Sequence, residues 1–452
     1  MTHNVPKVVS QITDELKDAF TKPTHARMVT LLLGAVITLG QRTISNILRV
    51  LGPLAPGHWS SYHRVLSTRR WWIWAVARIV ARLALEAFYP NAREIVFLAG
   101  DDTVDEHRGD KVYGKGCHRD AVRSSHTFTA FRWGHKWVVL CVLVRVPWSY
   151  RPWALPVLVA LYMPVDEDKK QGRRHKTPSE LMRQMLAVLM RWFPERKFVF
   201  SGDGGFGTHA LARFAHRHRT RLTLVSRFYP DANLYALPAA TRGKKAGRPR
   251  KKGRKLAAPQ TVVSRTKQRS RLKVDWYGGK SRRVEVVTET GHWYKSGEGL
   301  TPLRWVYVHD LDGTHRDDYF FTTDLDLKPK QIIETFTGRW SIEVMFAEMR
   351  SHLGLETTRG RSRNTVLRAA PCLFGIYTLV VIMYHRMSAR WKETPAITWI
   401  GKDTTTFSDV ITSVRRWLWV QWVFETTCTT VVFSKLPAPF RRTVLAAITA
   451  AI

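Results

Sequence analysis

Apolar positions recur with helical spacing through residues 1–90 and give way to short strand-like runs from Glu94 onward. Ile44, Ile47, Leu48 and Leu51 fall on one helix face, and Gly52 follows as a stop. After a Pro/Gly break from Pro53 to Gly57, Trp59 to Leu66 supplies a second short helix. A helix-turn-helix and a plain helical hairpin both satisfy this pattern. Ile95 to Gly100 is a short apolar run that ends in Asp101-Asp102. Thr127 to Trp133 and Trp137 to Val146 read as adjacent antiparallel strands separated by Gly134-His135-Lys136. Thr177 to Phe193 has helical periodicity, and Lys197 to Ser201 is another strand, closed by a glycine-rich turn at 202–207. Ala210 to His216 suits a helix and Arg221 to Ser226 a strand, so strands and helices mix as in an α/β core.

Residues 228–317 interrupt that core with a β-rich insertion. Within it, Arg242 to Lys255 holds nine Lys/Arg in 14 residues and must be a solvated loop. Trp305–His309 and Asp318–Thr322 are joined across Asp312-Gly313, a hairpin turn signal. A long helix follows Pro329, and Ala369 to Arg386 reads as a buried helix. The divisions are 1–90, a helical region for DNA-end binding; 91–227, the first part of the core; 228–317, the insertion; 318–390, the second part of the core; and 391–452, a C-terminal region for dimerisation or DNA contact.

Charge changes the picture most. The 452 residues carry 72 Lys+Arg against 36 Asp+Glu, a formal net charge of +36 that calls for a polyanion. Nucleic acid fits; a bilayer does not, since the longest apolar run, Cys372 to Tyr384, spans 13 residues or ~20 Å of helix. Cys117, Cys141, Cys372 and Cys428 lie far apart, which fits neither a zinc ribbon nor a disulfide framework and points to a reducing, cytoplasmic setting.

Three acids stand out by context: Asp101 and Asp203 at strand ends, and Glu343 on the helix beyond the insertion. Carboxylates so placed can converge across an α/β sheet and suit two Mg²⁺ or Mn²⁺ ions, which can drive phosphodiester chemistry. On a continuous helix Phe336, Arg339, Glu343, Ala347 and Arg350 fall within about 40° of one line. An acid between two arginines can hold a metal while the guanidiniums grip phosphates; a charge-paired surface helix is the plain alternative. Asp102 is a possible alternate ligand, but strand alternation sends Asp101 and Asp102 to opposite faces. Glu348 lies 140° round the helix from Glu343 by the same geometry, roughly off the arginine stripe.

These residues resemble the DDE transposases of bacterial insertion sequences. The Y-x2-R-x3-E-x6-K signature of one large branch reads here Phe336-x2-Arg339-x3-Glu343-x6-Arg350. The D-x-T motif is Asp101-Asp102-Thr103, and D-x-x-[FY]-G is Asp203-Gly204-Gly205-Phe206-Gly207. The resemblance implies an RNase H-like core with Asp101, Asp203 and Glu343 as catalytic metal ligands. It further implies cleavage at the element's terminal inverted repeats, strand transfer to target DNA, and a homodimer assembled on DNA in the nucleoid. A catalytically inactive DNA-binding relative and a structure-selective nuclease are the alternatives. DNA contacts are expected from Arg339, Arg350, Phe336, Arg248, Arg250, Lys251 and Lys252; Gly247-Arg248-Pro249-Arg250 resembles an AT-hook, though a nonspecific basic loop fits as well. His107, His118, His126 and His135 lack metal-ligand spacing and are expected to be ordinary strand or loop residues, and Trp276 and Trp293 to pack in the core.

Overall fold

The computed structural model describes residues 5–120, 124, 127–238, 250–392, 402, 404–427 and 429–450. Arg248, His126, Cys428 and most of the basic loop lie outside the described residues. Eleven strands form one sheet: β1 (Ile95–Glu106), β2 (Gly116–Arg119), β3 (Phe131–Val144), β4 (Trp153–Tyr162), β5 (Lys197–Gly202), β6 (Leu222–Arg227), β7 (Leu234–Tyr235), β8 (Ser270–Asp275), β9 (Ser281–Lys295), β10 (Gly299–Asp310) and β11 (Asp318–Thr322).

The first half of the sheet runs β4-β3-β1-β5-β6, with β2 on the far end of β3. β3 is antiparallel to both β1 and β4, while β1, β5 and β6 are mutually parallel. Three antiparallel strands followed by two parallel ones, with the first strand central, is the RNase H-like arrangement. The insertion does not form a separate layer. β11 pairs with β6 on one side and with β10 on the other, so β7 to β10 extend the core sheet edge to edge. The Asp312-Gly313 hairpin is present, with Gly313 at φ 66°.

One expectation fails instructively. Gly134-His135-Lys136 is not a turn; it lies inside the unbroken strand β3. A Cβ on Gly134 would sit 1.7 Å from the Asp105 carbonyl oxygen, so the glycine serves close backbone approach between β1 and β3, not reversal. His135 is thereby set directly opposite Asp105.

Helices cover the sheet. Pro178–Trp192 opens with a reciprocal capping box between Thr177 and Glu180 and buries Met182, Met185, Leu186 and Leu189. The helix Arg363–Arg386 is 24 residues long, longer than the 13-residue apolar run suggested, and has mean hydropathy 2.0 over its best 18-residue window. Length and composition would let it cross a membrane, but 72% of that window is buried within the protein. It packs against β4 and the helices Ile73–Phe88 and Phe407–Leu418. The N-terminal helices share this core, and the buried Arg415 donates to the carbonyls of Val36 (2.8 Å), Ala450 (2.6 Å) and His352 (3.1 Å), tying both ends of the chain together.

Because Gly134 permits the β1–β3 approach, Gly134→Ala should destabilise the fold by about 3 kcal/mol or more, as expected when a buried backbone must shift. Thermal melts of the two proteins check this; superimposable curves would contradict it.

Candidate active site

Parallel pairing aligns Gly100 of β1 with Gly202 of β5, so Asp101 and Asp203 emerge side by side at neighbouring strand positions. The turn after β5 explains its own sequence. Asp203 accepts a hydrogen bond at Oδ1 from the Gly205 N–H (3.0 Å), and its carbonyl accepts from the Phe206 and Gly207 N–H groups. Phe206 is buried as the anchor. A Cβ on Gly207 would meet the Arg227 carbonyl and Ser226 Oγ at 2.8 Å, so only glycine lets the turn lie against β6. Ser226 Oγ donates to the Gly202 and Asp203 carbonyls, 2.8 Å each, and fixes the turn from the next strand.

The long helix expected after Pro329 is two helices, Pro329–Gly338 and Ser341–Leu353, broken at Arg339-Trp340. The break directs Arg339 into the site. Its Nη1 donates to Asp101 Oδ2 (2.8 Å) and its Nη2 to Glu343 Oε1 (3.0 Å). Arg339 is only 6% exposed; burial works against its charge, but Asp101, Glu343 and Asp203 together hold its pKa up. Two of the three sequence-identified acids therefore bond one buried guanidinium, and the third acts on it electrostatically.

Burial drives the Asp101 carboxyl up to about 7; Arg339 opposes this and Asp203 adds to it. Asp102 turns away, as strand alternation requires, and pairs with Lys136 Nζ at 3.0 Å. Glu348 also faces elsewhere, bonded to Arg151 (3.2 Å) and the Tyr377 hydroxyl (2.6 Å).

Several expected DNA contacts are corrected. Phe336 is 1% exposed and stacks on Phe320 at 4.3 Å; it lies beneath Arg339, whose guanidinium is 5.4 Å from its ring centre, and cannot reach DNA. Arg339 is committed to two carboxylates, not to a phosphate. Arg350 bonds Glu356 (3.1 Å) and Thr103 Oγ1, clamping its helix to β1 two residues beyond Asp101. Arg250, Lys251 and Lys252 are all exposed, and Lys252 also lies over the rings of Tyr235 (4.3 Å) and Tyr294 (4.5 Å), so none of the three is withdrawn from DNA. Trp276 is buried and Trp293 packs among His209, Phe228 and Phe321, as expected of core residues. Lys136 was not anticipated; its period-two spacing from Val138, opposite Asp102 on the neighbouring strand, was the available signal.

Three carboxylates against one guanidinium leave the site negative, with hard oxygen donors throughout. That donor set fits a divalent cation of the magnesium class.

Burial holds the Asp101 proton up to about pH 7, well above the 3.8 of an ordinary aspartate. Between these values the folded state binds more protons than the unfolded one, so stability falls as pH rises through the window. Urea midpoints without divalent metal should therefore drop from pH 5 to pH 7.5, and Asp101→Asn should flatten the drop. Parallel curves for the two proteins would contradict the assignment.

Comparison with known families followed from this geometry. Residues 15–283 match the family described as DDE superfamily endonuclease, more than half of the chain and inclusive of Asp101 and Asp203. Residues 255–387, which carry Glu343, match the archaeal transposase family ISC1217. No curated protein matches the chain. Among solved structures, the piggyBac transposase in a synaptic complex with hairpin DNA is similar at 11% identity and a TM-score of 0.41, over 98% of this chain and 81% of that one. The first match covers more than half of the chain, so the chain belongs to the DDE superfamily of endonucleases and is a metal-dependent DNA transposase.

Proposed function

We propose that the protein binds the terminal inverted repeats of its own insertion sequence, cleaves the DNA there and joins the freed 3′-hydroxyls to target DNA. Asp101, Asp203 and Glu343 are assigned as the ligands of two Mg²⁺ or Mn²⁺ ions. The observation that carries this reading is the Arg339 guanidinium, hydrogen-bonded to Asp101 and Glu343 and electrostatically coupled to Asp203. Divalent ions in such a carboxylate set activate a water or hydroxyl and stabilise the leaving oxygen of a phosphodiester.

The chain's own residues supply the rest. The β5 turn holds the Asp203 carboxylate by its Gly205 bond, and β1 presents Asp101 beside it. Arg339 balances the acids until metal and phosphate arrive, and Arg350 fixes the helix that carries Glu343. The net charge of +36 favours the DNA backbone. Exposed Trp59 and Trp72 support DNA-end binding by residues 1–90, and exposed Val431, Val432 and Phe440 support dimerisation through residues 391–452. Arg250 and Lys251, at the edge of the basic loop, are assigned to nonspecific backbone contact.

Incubation of a supercoiled plasmid bearing the element's ends with protein and Mg²⁺ tests the reading. Excision is expected; retardation without cutting would indicate a binding protein, and scattered nicks a structure-selective nuclease. Asp101→Ala, Asp203→Ala and Glu343→Ala should each reduce cleavage by at least about 10³-fold while DNA binding persists, because the basic surface is untouched. Near wild-type cutting by any of the three would remove that residue from the site.

A further inference from the structure

Two of the histidines expected to be ordinary strand or loop residues, His107 and His135, fall into a cluster with Asp105. Asp105 and His107 follow Asp101 at period-two positions on and just beyond β1, and Gly134 brings His135 of β3 directly opposite Asp105. The three side chains are 0%, 8% and 2% exposed respectively, and one ligand atom from each lies within 4.8 Å of the other two. Asp105 Oδ2 is 3.4 Å from His107 Nε2, and Asp105 Oδ1 is 3.6 Å from His135 Nδ1. Neither contact has hydrogen-bond geometry, and Asp105 Oδ2 and His107 Nε2 are buried without a hydrogen-bond partner.

Proton placement sharpens the point. His135 Nε2 lies 2.9 Å from the Tyr113 carbonyl oxygen, which can only accept, so the ring donates there. In the neutral ring the Nδ1 lone pair then faces the Asp105 carboxylate. Asp105 Oδ1 also accepts the His135 backbone N–H at 3.1 Å, and two buried acceptors face each other favourably only with a proton or a metal ion between them. A ring nitrogen pinned by a backbone carbonyl, with its other nitrogen turned to a carboxylate-rich pocket, is the outer-shell arrangement of a metal-bound histidine. Ligands ~2.0–2.1 Å from a tetrahedral zinc ion are separated from each other by roughly 3.3–3.5 Å. The 3.4 Å contact from Asp105 Oδ2 falls in this range and the 3.6 Å contact from Oδ1 just outside it, so a small shift of the carboxylate would seat the ion.

We propose that Asp105, His107 and His135 form a second metal site, separate from the DDE carboxylates, that takes a zinc-like divalent ion. Two imidazoles and one carboxylate suit zinc better than magnesium, which prefers oxygen alone. Water fills the fourth position. Asp105 lies four residues along β1 from Asp101, or ~13 Å, so the two sites are distinct. The ion pins the outer ends of β1 and β3, and with them the strand that presents Asp101.

Full-length, untagged protein purified without chelator should contain about one zinc per chain by elemental analysis. His107→Gln and Asp105→Asn should each lower that content at least about tenfold, while Asp203→Ala keeps it, since the catalytic carboxylates are elsewhere. Cobalt(II) exchanged into the wild type should show the visible bands of a four-coordinate nitrogen/oxygen site. A strong chelator should lower the melting temperature of the wild type but not of His107→Gln. Should His107→Gln fail to fold, the wild-type metal content, cobalt spectrum and chelator melt decide alone. Metal-free wild type whose melting temperature is indifferent to added zinc would overturn the proposal and leave the cluster as a protonated imidazole–carboxylate pair. Full zinc retention in both ligand variants would also overturn it.

Discussion

Like charges at close quarters govern the catalytic end of this molecule. Asp101, Asp203 and Glu343 converge where burial already drives one of them toward neutrality, and the protein answers with the single buried guanidinium of Arg339. Removing a partner from such a buried cluster typically costs about 3–5 kcal/mol, so the local architecture is organised around keeping this cation in place. The helix breaks at Arg339-Trp340 to aim it, Phe336 supports it from below, and Arg350 locks the following helix against β1. What looks in sequence like a stripe of DNA contacts is in the fold a charge-balancing device. The same device holds the Asp101 and Glu343 carboxylates together.

The sheet supplies the complementary constraint. Two acids from distant parts of the chain meet only because β1 and β5 pair in parallel and in register. The flanking contacts rest on glycines that permit close approach: Gly134 where β3 meets the Asp105 carbonyl of β1, and Gly207 where the Asp203 turn meets β6. The insertion extends this sheet through β11, so β7 to β10 share one hydrogen-bonded platform with the catalytic strands.

Much of this was legible in the sequence. Strand-end position singled out Asp101 and Asp203, period-two alternation chose Asp101 over Asp102, and helical angle chose Glu343 over Glu348. Each rule is local, and the strand-end rule describes only Asp203, which follows β5; Asp101 lies in the middle of β1, which runs on to Glu106 because β3 pairs with it along that length. The failures have one physical source, in that side-chain fate depends on partners remote in sequence. Phe336, Arg339 and Glu343 do share one face across the break at 339–340, but remote partners, Phe320 for the ring and Asp101 for the guanidinium, bury the first two instead of leaving them to DNA. Gly134-His135-Lys136 has the composition of a turn, yet its glycine answers a carbonyl 29 residues away, at Asp105. The Asp105–His107–His135 cluster escaped notice because two ligands come from one strand and the third from its neighbour, with no sequence spacing to betray it.

The central claim is that the three acids form one divalent-metal centre poised by Arg339. Manganese(II) binding, followed by electron paramagnetic resonance on the zinc-supplemented protein bound to element-end DNA, tests it most directly. The account predicts protein-bound manganese in the wild type, and its loss in both Asp203→Asn and Glu343→Gln although these ligands lie 140 residues apart in the chain. Manganese bound equally well by the wild type and both variants would contradict it.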